Sequence, residues 1–302
     1  MKLEGAYTAL VTPFAQGEVD LDALRALVER QIAGGVHGLI PCGTTGESVT
    51  LSLGEFEAVV RAVVEQARGR VPVLAGAGTH ATRKTIELAR LARSAGVDGL
   101  MLVCPYYNKP TQRGLEAHFR AVCEAVPLPA MLYNIPGRTG VDLQVDTLAR
   151  MADVPSLVAI KEATGSVIRA QQILARCGER FQVFAGDDAL TLAVMAVGGR
   201  GVVSVTANLL PEAVAQTLDA MLAGRWDEAR ERHLRLVPVH DAMFVETNPG
   251  PVKALMAEAG LLRAELRPPL VPPEEANLAR SRAALAAAGF ALGDGAKAGE
   301  TA

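Results

Sequence analysis

Eight short apolar runs recur along this 302-residue chain, at 6–11, 38–41, 71–75, 99–103, 130–133, 157–161, 182–185 and 202–205, and longer amphipathic stretches separate them. Parallel strands joined by crossover helices demand this alternation. The stretches at 20–33, 52–67, 82–95, 111–126, 144–151, 166–177, 189–197 and 210–223 are predicted helices. The first places Leu21, Leu24, Leu27, Val28 and Ile32 on one face, as a helix packed on a sheet requires. The second opens with Ser52 and Glu55 at capping-box spacing. Glycine-rich joints GGVHG, AGVDG and GGRG end helices and return the chain toward the next strand. Eight such units close into a (β/α)8 TIM barrel. Further helical segments at 226–244, 251–259 and 274–288, the last following the proline-rich RPPLVPPE, predict a C-terminal three-helix extension. The expected division is a barrel at 1–224, a helical domain at 225–289 and a disordered tail at 290–302.

Composition narrows the partners. A net charge of -3 without runs of Lys or Arg leaves no electrostatic footprint for nucleic acid or an anionic membrane surface, so the expected partner is a small molecule. The N-terminal MKLEGAYTALVTPF lacks a continuous apolar signal segment, and no stretch reaches membrane-spanning length, which predicts a cytoplasmic location. Cys42, Cys104, Cys123 and Cys177 lack CxxC or Cys/His zinc spacing. They read as reduced packing residues, although Cys42 and Cys104 stand at strand ends beside the polar motifs.

A barrel of this kind carries its chemistry at the C-terminal ends of its strands, so the polar residues that terminate the apolar runs are the candidates. Lys161 closes the run LVAI and is one of only six lysines in a chain that otherwise uses arginine. Desolvation in a barrel mouth lowers an amine's pKa, and the neutral amine can attack a ketone to form a Schiff base. Spacing leaves a second reading open, a structural ion pair with Glu162 or another strand-end carboxylate. Gly43-Thr44-Thr45-Gly46-Glu47 forms a tight turn whose hydroxyls and N–H groups suit a carboxylate, or is a turn without a ligand. It lacks the Gly-Lys-Ser/Thr of a phosphate loop. Tyr106, Tyr107 and Tyr133, three of the four tyrosines, fall at strand ends, where phenols relay protons or simply pack. Arg138, in the loop YNIPGRTG, offers a planar fork for a second carboxylate or is a solvated surface arginine.

Taken in order, GTTGE, PYYNKPTQ, YNIPGRTG, IKEATG, GDD, GVVSVTAN and NPGPVK make the chain resemble the dihydrodipicolinate synthase family, within the pyruvate-dependent class I aldolases related to N-acetylneuraminate lyase. The likeness spans residues 3–288. It implies that Lys161 forms the imine with pyruvate and that Thr44, Tyr133 and Tyr107 relay protons, Tyr107 reaching in from a neighbouring subunit. It further implies that Thr45 and its turn hold the pyruvate carboxylate, Arg138 holds the carboxylate of L-aspartate 4-semialdehyde, and Gly186 and Val203 contact the adduct. The reaction implied gives 4-hydroxy-tetrahydrodipicolinate, without metal or organic cofactor, in a homotetramer built from tight dimers. Arg138 favours this reaction over a related aldolase acting on N-acetylneuraminate or a 2-keto-3-deoxy sugar acid, whose members mostly lack an arginine there. The other competing reading is a non-catalytic barrel that binds a small carboxylate.

The resemblance also bears on regulation. Many relatives bind lysine at a tetramer interface, and the corresponding positions here are Ser48, Val49, Leu53, Phe56, His80, Lys84 and Tyr106. Lysine-sensitive relatives carry an acidic residue where this chain has Lys84, a cation that would repel the ligand's ammonium. Weak or absent inhibition by lysine is expected; inhibition at sub-millimolar lysine in a steady-state assay contradicts it.

Overall fold

The computed structural model describes residues 2–292, so the expected tail past Leu292 lies outside the described residues. The chain runs β1 (Gly5–Ala9), β2 (Phe14–Ala15), β3 (Glu18–Val19), α1 (Leu21–Ala33), β4 (Gly38–Ile40), α2 (Leu53–Ala67), β5 (Leu74–Gly76), α3 (Thr82–Ser94), β6 (Gly99–Val103) and α4 (Gln112–Ala125). It continues through β7 (Ala130–Asn134), α5 (Pro136–Thr139), α6 (Val145–Arg150), β8 (Leu157–Glu162), α7 (Val167–Cys177), β9 (Gln182–Ala185), α8 (Thr191–Ala196), β10 (Gly201–Ser204) and α9 (Pro211–Leu222). Three helices follow: α10 (Trp226–Ala242), α11 (Gly250–Glu258) and α12 (Glu275–Ala287).

Eight strands pair in parallel in the order β4-β1-β10-β9-β8-β7-β6-β5. A bridge between Leu39 and Val73, with hydrogen bonds from Leu39 N to Pro72 O (3.0 Å) and Gly76 N to Pro41 O (2.9 Å), joins β4 to β5 and closes the ring. This is the predicted TIM barrel. Ser52 caps α2 through a complete capping box, and Asp20, Thr111 and Ser166 accept from the first turns of α1, α4 and α7.

Strand alternation sorts the apolar residues into two layers. Ala6, Leu39, Leu102, Leu132 and Ile160 face the helices, whereas Tyr7, Ile40, Met101, Met131, Phe184 and Val203 fill the barrel. Tyr7 and Phe184 meet edge to face at 5.5 Å. The Tyr7 ring occupies the place of a side chain on β4, since a Cβ added to Gly38 would lie 2.1 Å from it. A third cluster joins Val11, Leu27, Val205 and Leu209 of the barrel to Val239, Val252, Leu255 and Leu285 of the C-terminal helices. The extension thus shares its core with the barrel, and no helix among the described residues is long and apolar enough to cross a membrane.

The structure departs from the sequence reading in detail. The predicted strand at 71–75 starts later, at Leu74, because Pro72 has no N–H to give a ladder. The hairpin β2–β3 has no counterpart in the sequence pattern; its strands are two residues each, too short for a period, and Gln16 and Gly17 turn it at positive φ (58° and 84°). Arg138 stands on a one-turn helix rather than in a loop, with Pro136 at its first position and Gly140 at φ 73° ending it.

The Gly38 packing yields a stability prediction. Gly38→Ala should cost about 1–3 kcal/mol by overfilling the barrel interior, seen as a lower urea midpoint; an unchanged midpoint would mean that Tyr7 moves aside freely.

Candidate active site

Register brings the main candidates together. Parallel pairing sets Val103 beside Tyr133, Tyr133 beside Lys161, and Lys161 beside Phe184, so these side chains form one inward row near the carboxyl ends of their strands. Lys161 is 5% exposed, and its Nζ lies 4.1 Å from the centroid of the Tyr133 ring. Glu162, the next residue, turns to the outer side, where its carboxylate accepts from Asn134 Nδ2 (3.2 Å) and Thr164 N (2.7 Å). Among the described residues no carboxylate forms a direct salt bridge with Lys161, and Glu162, the partner adjacent in sequence, is engaged elsewhere. Burial pulls the Lys161 amine down to about 7; the negative charge of Asp188 opposes this and the positive charge of Arg138 adds to it. Near neutral pH a large share of this amine is unprotonated.

A cavity of about 270 Å³ opens beside this row, and Thr44, Glu47, Tyr106, Tyr133, Arg138 and Asn248 line it. Tyr133 is 4% exposed and shares the cavity wall with Thr44, and burial pushes its phenol up to about 12, with Arg138 and Thr44 pulling the other way. It therefore stays protonated and able to donate. Thr45 is buried behind the cavity wall, its Oγ1 accepting from Asn248 Nδ2 at 3.0 Å. Arg138 is exposed and lines the cavity, and its Nη2 approaches Asn248 O at 3.4 Å.

The remaining candidates lie outside the cavity lining. Gly186 follows β9, and its N donates to Glu162 O at 2.8 Å; a Cβ there would meet the Ala163 Cβ at 2.5 Å, so glycine is required by packing alone. Val203 is fully buried on β10, paired with Tyr7. Neither they, nor Thr45, nor Lys161 belongs to the cavity lining, and Lys161 adjoins it through Tyr133. Tyr107 is 92% exposed at φ 74° and stands apart from its own chain's cavity, which Tyr106 lines instead. Ser48, Val49 and Tyr106 of the segment compared with lysine sites line the same cavity, while Lys84 is exposed on α3. Cys42, Cys104 and Cys123 are buried free thiols whose pKa values burial raises, consistent with packing residues.

Two further residues belong to the site. Asn248 is 5% exposed, and its Oδ1 has no hydrogen-bond partner although its Nδ2 is engaged. A buried acceptor left open at a cavity wall is a place for a donor from a ligand. Asp188 is 1% exposed and accepts from Ser204 Oγ, from Val205 N (2.8 Å) and from Thr206 N (3.4 Å). Its negative charge raises the Lys161 pKa against the effect of burial. The motifs NPGPVK and GDD contained both, but only the fold shows what they face. Among the described residues no group of three or more His, Cys, Asp or Glu is placed to hold a metal ion.

Comparison with known proteins agrees with this geometry. The profile of the Dihydrodipicolinate synthetase family matches residues 2–288. The chain is 56% identical over 280 residues to the 4-hydroxy-tetrahydrodipicolinate synthase of Sorangium cellulosum, an overlap of 92% of this chain and 93% of that one. The structure of the 4-hydroxy-tetrahydrodipicolinate synthase of Methylacidiphilum fumariolicum superposes with a TM-score of 0.94 at 44% identity, covering 95% of this chain and 96% of the other. The chloride-inhibited dihydrodipicolinate synthase of Acinetobacter baumannii, solved in complex with pyruvate, gives 0.94 at 40% identity over 96% of this chain and 100% of the other.

Because the Asp188 charge raises the Lys161 pKa, Asp188→Asn should move it below about 7. The midpoint for Lys161 modification by an amine-directed acylating reagent, followed by peptide mass mapping, should shift to lower pH; an upward shift or none contradicts the assignment.

Proposed function

The chain belongs to the dihydrodipicolinate synthetase family, and from that premise we propose how its own residues join pyruvate to L-aspartate 4-semialdehyde. The reaction is a lyase-type condensation that yields 4-hydroxy-tetrahydrodipicolinate, a step toward diaminopimelate and lysine. The observation that carries the residue assignment is the Lys161 amine, buried, without a counter-ion and held near 7 beside Tyr133.

In our reading the unprotonated Nζ of Lys161 adds to the C2 carbonyl of pyruvate, and the carbinolamine loses water to give the imine. The Tyr133 hydroxyl, on the same cavity wall as Thr44, supplies and recovers the protons of these steps. Tyr107 would complete the relay from a neighbouring subunit, which accords with its exposure on its own chain. Loss of a proton from the former methyl group gives the enamine, whose carbon attacks the aldehyde carbon while the aldehyde oxygen gains a proton. The amino group of the second substrate then attacks the imine carbon, closes the ring and expels Lys161 as free amine. One water leaves over the whole sequence.

The carboxylates divide between two ends of the site. The turn at Thr44 and Thr45 takes that of pyruvate, with Gly186 and Val203 against the adduct, and Arg138 takes that of the semialdehyde. We assign the open Oδ1 of Asn248 to the semialdehyde's amino group, since Arg138 and Asn248 are neighbours and an α-amino acid presents both charges together. This pairing supports an amino-acid aldehyde over a sugar acid as second substrate. We further propose a homotetramer, a dimer of dimers, acting in the cytoplasm.

The test is trapping. Borohydride with pyruvate should inactivate the enzyme and leave the reduced adduct on Lys161 in peptide mapping, with inactivation accelerating as pH rises through about 7. Arg138→Ala should retain this trapping yet lose about 2–5 kcal/mol of semialdehyde binding, read as a raised KM for that substrate alone. An adduct elsewhere, or equal loss for both substrates, overturns the assignment.

A further inference from the structure

Two charged residues of the site motifs have no part in the chemistry above. Glu47 ends the GTTGE turn, and Lys253 ends NPGPVK on α11. Their side chains are 0% and 1% exposed and meet at 2.7 Å, Lys253 Nζ donating to Glu47 Oε1. Lys253 Nζ also donates to Thr12 O at 2.9 Å and lies 4.4 Å from the Phe14 ring centroid. The other carboxylate oxygen of Glu47 accepts from Arg267 N at 2.9 Å. A side chain from the barrel loop is thereby gripped by α11 and by the segment that leads to α12.

This grip reaches the pyruvate end of the site through the backbone. Glu47 adopts φ 52°, a left-handed conformation that persists in a non-glycine residue only when its surroundings enforce it. Its N donates to Thr44 O at 3.1 Å, and its carbonyl accepts from Thr50 N (3.0 Å) and Thr50 Oγ1 (2.9 Å). Gly46 is held on the opposite side, its carbonyl accepting from Thr12 Oγ1 at 2.7 Å. A second tie joins the same C-terminal segment to the turn, from Asn248 Nδ2 to Thr45 Oγ1. Thr45 is thus bonded directly to a residue 203 positions away, and Thr44 is bonded to Glu47, whose own anchor lies 206 positions away.

Stability is a poor explanation for such a pair. Two charges removed from water recover little net free energy from each other, and well-packed apolar residues often serve as well or better. What an ion pair adds is direction: the carboxylate must point at two donors from fixed elements. We propose that Glu47 and Lys253 are positioning residues for pyruvate, which hold the Thr44–Thr45 turn in its receptive shape without touching the substrate's reacting atoms. The proposal rests on the assignment of that turn to the pyruvate carboxylate.

The decisive variant is Glu47→Leu combined with Lys253→Met, which removes both charges and leaves neither buried alone. Half-saturating pyruvate for borohydride inactivation, KM for each substrate and the melting temperature are measured together. The expected result is a rise of about tenfold or more in half-saturating pyruvate and in its KM, with the semialdehyde KM within about twofold of the parent. A lowered melting temperature with unchanged pyruvate saturation would make the pair merely structural and overturn the proposal. Glu47→Gln decides the matter if the double variant does not fold: its single amide oxygen cannot serve both donors, so pyruvate saturation should again shift, and an unshifted value overturns the proposal. Failure of the underlying reading is seen separately, as absence of a pyruvate adduct on Lys161 in the parent enzyme.

Discussion

Burial of the Lys161 amine without a counter-ion is the constraint on which the site depends. Moving an ammonium out of water costs several kcal/mol even after the protein relaxes. Most buried lysines recover part of this from a carboxylate. Lys161 recovers little, because strand alternation sends Glu162 to the outer face and places Phe184 and Tyr133 at its sides. The remaining escape is loss of the proton, and a pKa near 7 records how far that has gone. Asp188 restrains the shift, so the amine keeps its basicity and with it its nucleophilicity.

Lys253 shows the opposite solution within the same chain. It too is buried and its pKa is lowered by desolvation, yet Glu47 at 2.7 Å and the Thr12 carbonyl surround its charge. One buried lysine is left without a salt-bridge partner and the other is hydrogen-bonded to two acceptors, one of them a carboxylate. The contrast lies in what the neighbouring elements supply, since both side chains end in the same amine.

Much of this was readable from residues close together in sequence. The eight apolar runs gave the barrel because a strand's period and a helix's period are local properties. Lys161 could be singled out because it terminates such a run in a chain poor in lysine. The choice between nucleophile and ion pair with Glu162 was also latent, since adjacent residues on a strand face opposite ways. Asn248 and Glu47 were different. Their roles arise from contacts spanning 203 and 206 positions, and nothing in the spacing of NPGPVK or GTTGE indicates a partner that distant. The one-turn helix under Arg138 and the hairpin at Phe14 were likewise too short to impose a period.

The two ends of the cavity differ in rigidity, and this suits the order in which the chemistry must occur. The end we assign to pyruvate is braced by Thr12, Lys253, Arg267 and Asn248, all acting on one five-residue turn. The end we assign to the semialdehyde rests on Arg138, an exposed side chain on a single helical turn whose contact with Asn248 is long at 3.4 Å. An imine must form and lose a proton before it can attack an aldehyde, so the first substrate profits most from a site already in shape. The second arrives at a finished nucleophile and needs only to be drawn in and turned. An exposed guanidinium fork with a single long tie is suited to receive that carboxylate.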